Sequence, residues 1–272
     1  CIFCRKYTWL KKHIDFDILK QKIEQYENAT FQFSGGEPLM YNNLKKLVKL
    51  LIEKQIVYKV YTNMSFKLNK IQKQFLDNAS QISISLDGMD EATYNEIRRP
   101  TNTSAFTYVI SNIKLYKEKS RVCTVLTNKN YNQVKQFIQF CINNKLQGRL
   151  YNVHTNLENS LNVQQRLEIL KIMQQYRNCE YINAKGFTFA SNPNFIECNV
   201  RNYHRVIDED GREYTCCYAI NDNGEDIDGK YQIKNLPDLN PSTIYDYCCK
   251  CTRYKKANEN WKNIKNQKTV FL

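Results

Sequence analysis

Thr30-Phe-Gln-Phe-Ser-Gly-Gly-Glu-Pro38 carries a short β-branched and aromatic run straight into a glycine pair, a carboxylate and a proline. The first four residues read as a strand. The two glycines let backbone approach a ligand closely, and Glu37 supplies an acceptor for an ammonium group; a plain turn explains the same residues. What surrounds this stretch fixes the fold class. Amphipathic helical patterns at Asp15–Glu27, Asn42–Lys54, Leu68–Asn78, Phe106–Lys117, Tyr131–Asn144 and Gln164–Tyr176 alternate with the strand-like runs Val57–Tyr61, Ile82–Leu86, Val122–Leu126 and Arg149–His154. Regular alternation predicts a parallel sheet with helices outside it, open or closed into a barrel. In such folds the chemistry gathers at the carboxyl ends of the strands.

After about residue 178 the helical period fades. Asp208-Glu-Asp-Gly211 lies between Tyr203–Ile207 and Arg212–Thr215 as the turn of a hairpin. A loop-rich stretch with Gly224, Gly229, Pro237 and Pro241 then leads to Cys248-Cys-Lys-Cys251 and a final helical pattern. The boundary falls at 178–185, so residues 1–178 form the α/β core and 179–272 a small cysteine-rich domain with a terminal helix.

The chain has 272 residues, 11 of them cysteine, and a formal charge of +13. Two cysteines stand in the first four positions and six between Cys198 and Cys251. Clustering of this kind favours metal over disulfides and a reducing, cytoplasmic compartment. No apolar run approaches the roughly 20 residues that span a bilayer. The lysines are spread along nearly every helical pattern and form no arginine-rich run, so nucleic acid is not the expected partner.

Cys1-Ile-Phe-Cys4 places two thiols at a spacing that suits one metal centre, whether iron–sulfur or zinc, and equally a redox pair. Taken together with Gly35, Gly36, Glu37 and Pro38, it resembles the radical S-adenosylmethionine (SAM) superfamily. Members bind a 4Fe–4S cluster through CxxxCxxC, with an aromatic residue before the third cysteine, and hold the SAM amino group at a GGEP motif. Cys1 and Cys4 match the second and third cysteines and Phe3 the aromatic. With three residues between it and Cys1, the first cysteine falls before residue 1, so the sequence reads as truncated at its amino end, without the first strand. Val60-Tyr-Thr-Asn63 resembles the third-strand motif TNG, with Met64 where glycine is usual. Ile84-Ser-Leu-Asp-Gly88 resembles the fourth-strand signature. The stretch through Tyr94, Arg98 and Phe106, and Thr124-Val-Leu-Thr-Asn128 with Asn130, resemble the SPASM/twitch branch.

The resemblance implies a partial (β/α)6 barrel and makes Thr62, Asn63, Ser85, Asp87 and Arg98 candidates for lining the SAM pocket. Plainer roles stand beside these. Ser85 and Asp87 can simply end a strand, Asn130 can cap a helix, and Arg98 can pair with a carboxylate on its own helix. The implied reaction is reductive cleavage of SAM at the cluster to a 5′-deoxyadenosyl radical that abstracts a substrate hydrogen. A flavodoxin or ferredoxin would donate the electron. The substrate is a peptide or small molecule, with the basic charge tilting toward an acidic or phosphorylated one. An iron–sulfur scaffold or electron-transfer protein without catalysis is the alternative, and Met64 is the departure that allows it.

Cys198, Cys216, Cys248 and Cys251 form a four-thiolate set, and Asp210-Gly-Arg-Glu-Tyr-Thr-Cys216 fits the turn-then-cysteine pattern of twitch and SPASM domains. The resemblance implies an auxiliary 4Fe–4S cluster there. Zinc suits the same ligands, and Cys217 and Cys249 adjoin the favoured positions. Cys123, Cys141 and Cys179 have no ligand spacing, and Cys123 and Cys141 read as small buried apolar residues. His154, at a strand end on the side where substrate would sit, reads as a hydrogen-bonded structural histidine.

Overall fold

The alternation read from the sequence is what the chain adopts. The computed structural model describes residues 1–2, 13–153, 158–183, 204–214 and 269–271. Along the chain run α1 (Phe16–Gln25), β1 (Thr30–Phe33), α2 (Leu44–Glu53), β2 (Tyr58–Thr62), α3 (Lys70–Asp77), β3 (Gln81–Ser85), α4 (Glu91–Arg98), α5 (Ala105–Leu115), β4 (Ser120–Leu126), α6 (Val134–Asn143), β5 (Gln147–Asn152), α7 (Val163–Gln175) and β6 (Ile182–Asn183). β7 (His204–Ile207), β8 (Glu213–Tyr214) and β9 (Thr269–Phe271) follow. The fold is α/β, and the strands of the core pair in parallel.

Two compact units divide the chain, one of residues 1–5 and 60–188, the other of residues 6–59 and 189–272. In the first, β3, β4, β5 and β6 lie side by side, all parallel. The register sets Ser85 opposite Cys123, and Cys123 opposite Arg149. One face of this sheet is the core. Ile82, Ile84, Val122 and Leu150 are buried, and a Cβ on Gly148 would meet Cys141 and Phe137 of α6 at 2.8 and 3.2 Å. The helix starts are chemically marked: Asn69 with Gln72, and Asn162 with Gln165, form reciprocal capping boxes that satisfy otherwise orphaned amides.

In the second unit β1 pairs in parallel with β9, β9 in parallel with β7, and β7 antiparallel with β8. The expected hairpin forms around Asp208–Gly211. Asp208 Oδ1 accepts the amides of Asp210 and Arg212, both at 2.9 Å, while Oδ2 accepts Arg212 Nε at 2.7 Å. Gly211 has φ 76°, and a Cβ there would lie 2.5 Å from Ile18 of α1, so glycine is required twice over. Glu213 then fastens the hairpin to α1, accepting from Lys22 Nζ and Tyr26 Oη at 2.6 Å each. Burial and the hydrogen bond to Glu213 push the Tyr26 hydroxyl up to about 12.

α4 and β9 are elements that the hydrophobic period did not mark. The helix expected before β9 lies outside the described residues, as does most of the cysteine-rich stretch. Among the described residues no helix is long and apolar enough to cross a membrane.

Candidate active site

In the first unit the chemistry begins two residues beyond β3. Asp87 is fully buried, and its Oδ1 accepts the Val125 amide of β4 at 2.6 Å. Its other oxygen pairs with Arg98 Nε, the two side chains being 0% and 15% exposed. Arg98 is the last residue of α4, a helix that Asp90 starts by accepting the Thr93 amide at 2.8 Å and that Arg99 stops in the left-handed conformation. The carboxylate facing Arg98 is thus not on its own helix. Gly88 makes the arrangement possible: a Cβ there would lie 2.3 Å from the Tyr94 amide nitrogen and 2.7 Å from its Cα. Only a residue without a side chain lets the α4 backbone come this near.

Arg98 also reaches outward, with Nη1 3.5 Å from Cys1 Sγ. Cys1 is exposed, and Ile2 anchors it. The Ile2 amide donates to Ile97 O at 2.9 Å, Asn159 Nδ2 donates to Ile2 O at 3.4 Å, and the Ile2 side chain is buried. Cys1, Arg98 and Asp87, separately named from the sequence, therefore form one connected group.

The remaining candidates in this unit sit at strand ends. Ser85 closes β3, half-buried. Thr62, buried, accepts the Met64 amide on its Oγ1 at 3.1 Å, and Asn63 Oδ1 accepts the Ser65 amide and hydroxyl at 3.0 and 2.8 Å. Asn130 stands before a 3-10 turn (Tyr131–Gln133), but its side chain does not cap it. It accepts the Thr127 amide at 2.8 Å and donates to Asp87 O and Val125 O at 2.8 and 3.0 Å, tying the ends of β3 and β4 together.

In the second unit the chain leaves β1 through exposed Ser34, Gly35 and Gly36. Gly35 has φ 112°, and a Cβ there would meet nothing within 4 Å, so backbone geometry selects glycine at this position. Half-buried Glu37 accepts the Leu39 amide at 3.2 Å and caps the 3-10 turn Pro38–Met40. Buried Leu39 pins that turn to the unit, which presents a backbone ridge and a carboxylate together.

Cys123 and Cys141 are buried free thiols, and burial pushes them up to about 11 and about 12. Cys4, Cys198, Cys216, Cys217, Cys248, Cys249 and Cys251, with Phe3 and His154, lie outside the described residues. Among the described residues no three His, Cys, Asp or Glu side chains gather to hold a metal ion. The sequence reading passed over Arg121, Arg149, Tyr61 and Tyr151. The available signal was a charged or hydroxyl side chain alternating with small or apolar ones, clearest in β5, where half-buried Arg149 and Tyr151 flank buried Leu150; β4 is buried throughout 120–124 and shows no such alternation.

The sequence profile of the Radical SAM superfamily matches residues 1–141. An uncharacterised protein of Methanocaldococcus jannaschii is 28% identical over 159 residues, 52% of this chain and 54% of that protein. A cysteine-type anaerobic sulfatase-maturating enzyme of Clostridium novyi is 26% identical over 148 residues, covering 50% of this chain and 39% of the enzyme. The matches thus span about half or less of these relatives. Among solved structures, anSMEcpe with bound AdoMet superposes with a TM-score of 0.64 at 16% identity, covering 94% of this chain and 83% of that one. Streptococcus suis SuiB bound to precursor peptide SuiA gives 0.63 at 16% identity, covering 92% and 73%. At such identities the likeness is one of fold.

Proposed function

Because this chain belongs to the radical SAM superfamily, we propose that it binds a 4Fe–4S cluster and SAM, and modifies a peptide by hydrogen abstraction. The cluster and SAM, when bound, supply one-electron cleavage of the sulfonium and the radical that removes a substrate hydrogen. The chain's own residues bind, orient and shield. Cys1 and Cys4 are cluster thiolates in this reading, and Cys1 suits the role because its thiol is exposed and faces the Arg98 guanidinium at 3.5 Å. The observation that carries the proposal is this link, which ties a cysteine of the cluster motif to Asp87 and the carboxyl end of β3.

Gly35, Gly36, Glu37 and Pro38 would receive the SAM amino group. The open side of Gly35 and the Glu37 carboxylate fit an ammonium. In the first unit, Arg98 and the half-buried Ser85 hydroxyl are candidate donors for the SAM pocket, and Asp87 holds the guanidinium in place. Thr62 and Asn63 shape the turn after β2 that would line the pocket. Residues 1–178 are proposed as the core and 179–272 as a SPASM/twitch-like domain, in which Cys198, Cys216, Cys248 and Cys251 bind an auxiliary cluster. A peptide substrate draws support from the fold likeness to a structure solved with the precursor peptide SuiA. A flavodoxin or ferredoxin as electron donor and a cytoplasmic setting complete the reading.

The test is anaerobic reconstitution of protein that carries all three cysteines of the cluster motif, with iron and sulfide analysis and chromatography for 5′-deoxyadenosine after reduction with SAM. Two clusters correspond to about eight irons, falling to about four in Cys248→Ala/Cys251→Ala. Iron without any 5′-deoxyadenosine would overturn the catalytic reading in favour of a scaffold. Zinc lost from the double variant, with about four irons in both proteins, would remove the auxiliary cluster alone.

A further inference from the structure

The sheet of the first unit has a second face. Residues whose Cβ atoms oppose the α6 side follow from the parallel register: Ser83 and Ser85 of β3, Arg121 and Cys123 of β4, Arg149 and Tyr151 of β5. The face toward α6 is apolar, whereas this one carries two guanidinium groups on neighbouring strands, two residues apart in register. Arg121 is only 6% exposed. Its Nε donates to Ser83 Oγ at 2.8 Å and its Nη2 to Gln81 Oε1, both neutral acceptors. Arg149 is half-buried. Among the described residues neither arginine forms a salt bridge. Asp87, the acidic residue near this face, is already paired with Arg98.

A buried guanidinium is normally matched by a carboxylate or a phosphate, because withdrawal from water is otherwise uncompensated. Arg121 also keeps donors beyond the two used here, since the fork carries five. Tyr61 and Tyr151 add hydroxyls beside the arginines. Burial pushes the Tyr61 hydroxyl up while both guanidiniums oppose that shift, a sign of their closeness. This cationic face is not a solvated surface charge of the kind that the lysine-rich helices carry.

We propose that Arg121 and Arg149 form an anion subsite that takes an oxyanion group of the substrate, a carboxylate or a phosphate, on the face of the sheet turned away from α6. This deepens the preceding reading and rests on it: the substrate is acidic close to the part held against the sheet. Planar, bidentate recognition is what arginine offers over lysine. Arg149, half-buried, is the entry contact, and Arg121 the buried one. Tyr61, close to both guanidiniums, is a further donor to the same group.

Isothermal titration of the full chain with inorganic phosphate, and separately with glutarate, tests the subsite at low ionic strength. Arg149→Gln should weaken the preferred anion at least about tenfold, the loss expected when a charge-assisted contact is removed, with Arg149→Lys retaining part of it. Preference for phosphate assigns a phosphorylated group, and preference for glutarate a carboxylate. Arg121→Gln should do the same if circular dichroism shows it folded; if it does not fold, Arg149→Gln alone decides. Binding that is absent in the wild type, or unchanged in Arg149→Gln, overturns the proposal. The titration requires neither SAM nor reductant. Its failure therefore removes only the subsite, whereas anion binding without any SAM cleavage removes the catalytic reading.

Discussion

The Asp87–Arg98 pair is the element whose disturbance should be felt most, and the structure gives its scale. Asp87→Asn keeps the shape of the side chain and the Oδ1 that accepts the Val125 amide at 2.6 Å, and removes only the charge facing Arg98. With the two side chains 0% and 15% exposed, solvent does little to screen what is left. Breaking such a pair from one side costs about 3 kcal/mol or slightly more, chiefly the burden of a buried charge without its partner. Arg98→Gln leaves the opposite charge and should cost about the same. Removing both charges together should cost less than either single change, and far less than their sum, because no buried ion then remains.

Hydrogen exchange of the peptide Ser120–Leu126 reads this locally, since the Val125 amide donates to Asp87. A loss of about 3 kcal/mol in the opening free energy is about two decades in exchange rate. Each single variant should exchange about 100-fold faster than wild type, the double variant no faster than either, and α1 in the other unit should be unchanged. Acceleration below about threefold in both singles, or a double variant that opens by the product of the two, would refute the view that this is a mutually compensating buried pair.

Three further outcomes follow from the same geometry. Gly88→Ala sets a Cβ against the Tyr94 backbone at 2.3 Å and should lower stability by about 2 kcal/mol or more, since backbone rather than a flexible side chain must yield; wild-type urea midpoints would contradict it. The Tyr26 hydroxyl, raised from 10.0 to about 12 by burial and by Glu213, holds its proton more tightly folded than unfolded. Its contribution is therefore complete below pH 10 and lost as pH rises toward 12, so Tyr26→Phe should flatten the pH–stability curve in that window alone. Cys123 and Cys141, buried and pushed up to about 11 and 12, should resist iodoacetamide at pH 8 until the chain is unfolded, whereas exposed Cys1 should label first; peptide mass mapping distinguishes them.

Much of the core was legible because burial writes itself into local pattern. β1 spans Thr30–Phe33 as expected, and the other long strands agree to within two residues. What escaped had a physical reason. α4 is eight residues long and buries only Tyr94 and Ile97, too little for a 3.6 period to register. Helix ends were blurred because Gln55, Arg99 and Lys145 take the left-handed conformation that glycine usually announces. β9 pairs with β1 across almost the whole chain, and no local feature reports such a partner. Site residues were nameable singly from their motif positions, but their connection was not: the plainer role open to Arg98 was a carboxylate on its own helix, and the one it meets is Asp87, across a loop closed by Gly88. Arg121 and Arg149 were lost among many charges because only the register shows that they share one face.

Met64 shows why a departure from a motif need not be a departure from its geometry. The residue stands where the resembling motif has glycine, and its φ is 46°, in the region where glycine is preferred. The conformation is held from outside. Thr62 accepts the Met64 amide, Asn63 closes the next turn onto Ser65, and buried Asn112 donates to the carbonyls of Met64 and Phe66 at 2.9 and 3.1 Å. A left-handed non-glycine residue costs about 1–2 kcal/mol. The methionine side chain is 0% exposed, and burial on that scale contributes about 1.5–3 kcal/mol. The two are of similar size, so the turn survives the exchange, and the strand end bearing Thr62 and Asn63 keeps the backbone course for which the glycine serves. Met64 thus gives no support to an inert scaffold. The distinction between scaffold and catalyst passes instead to the residues that would touch SAM, above all Glu37 and Arg98.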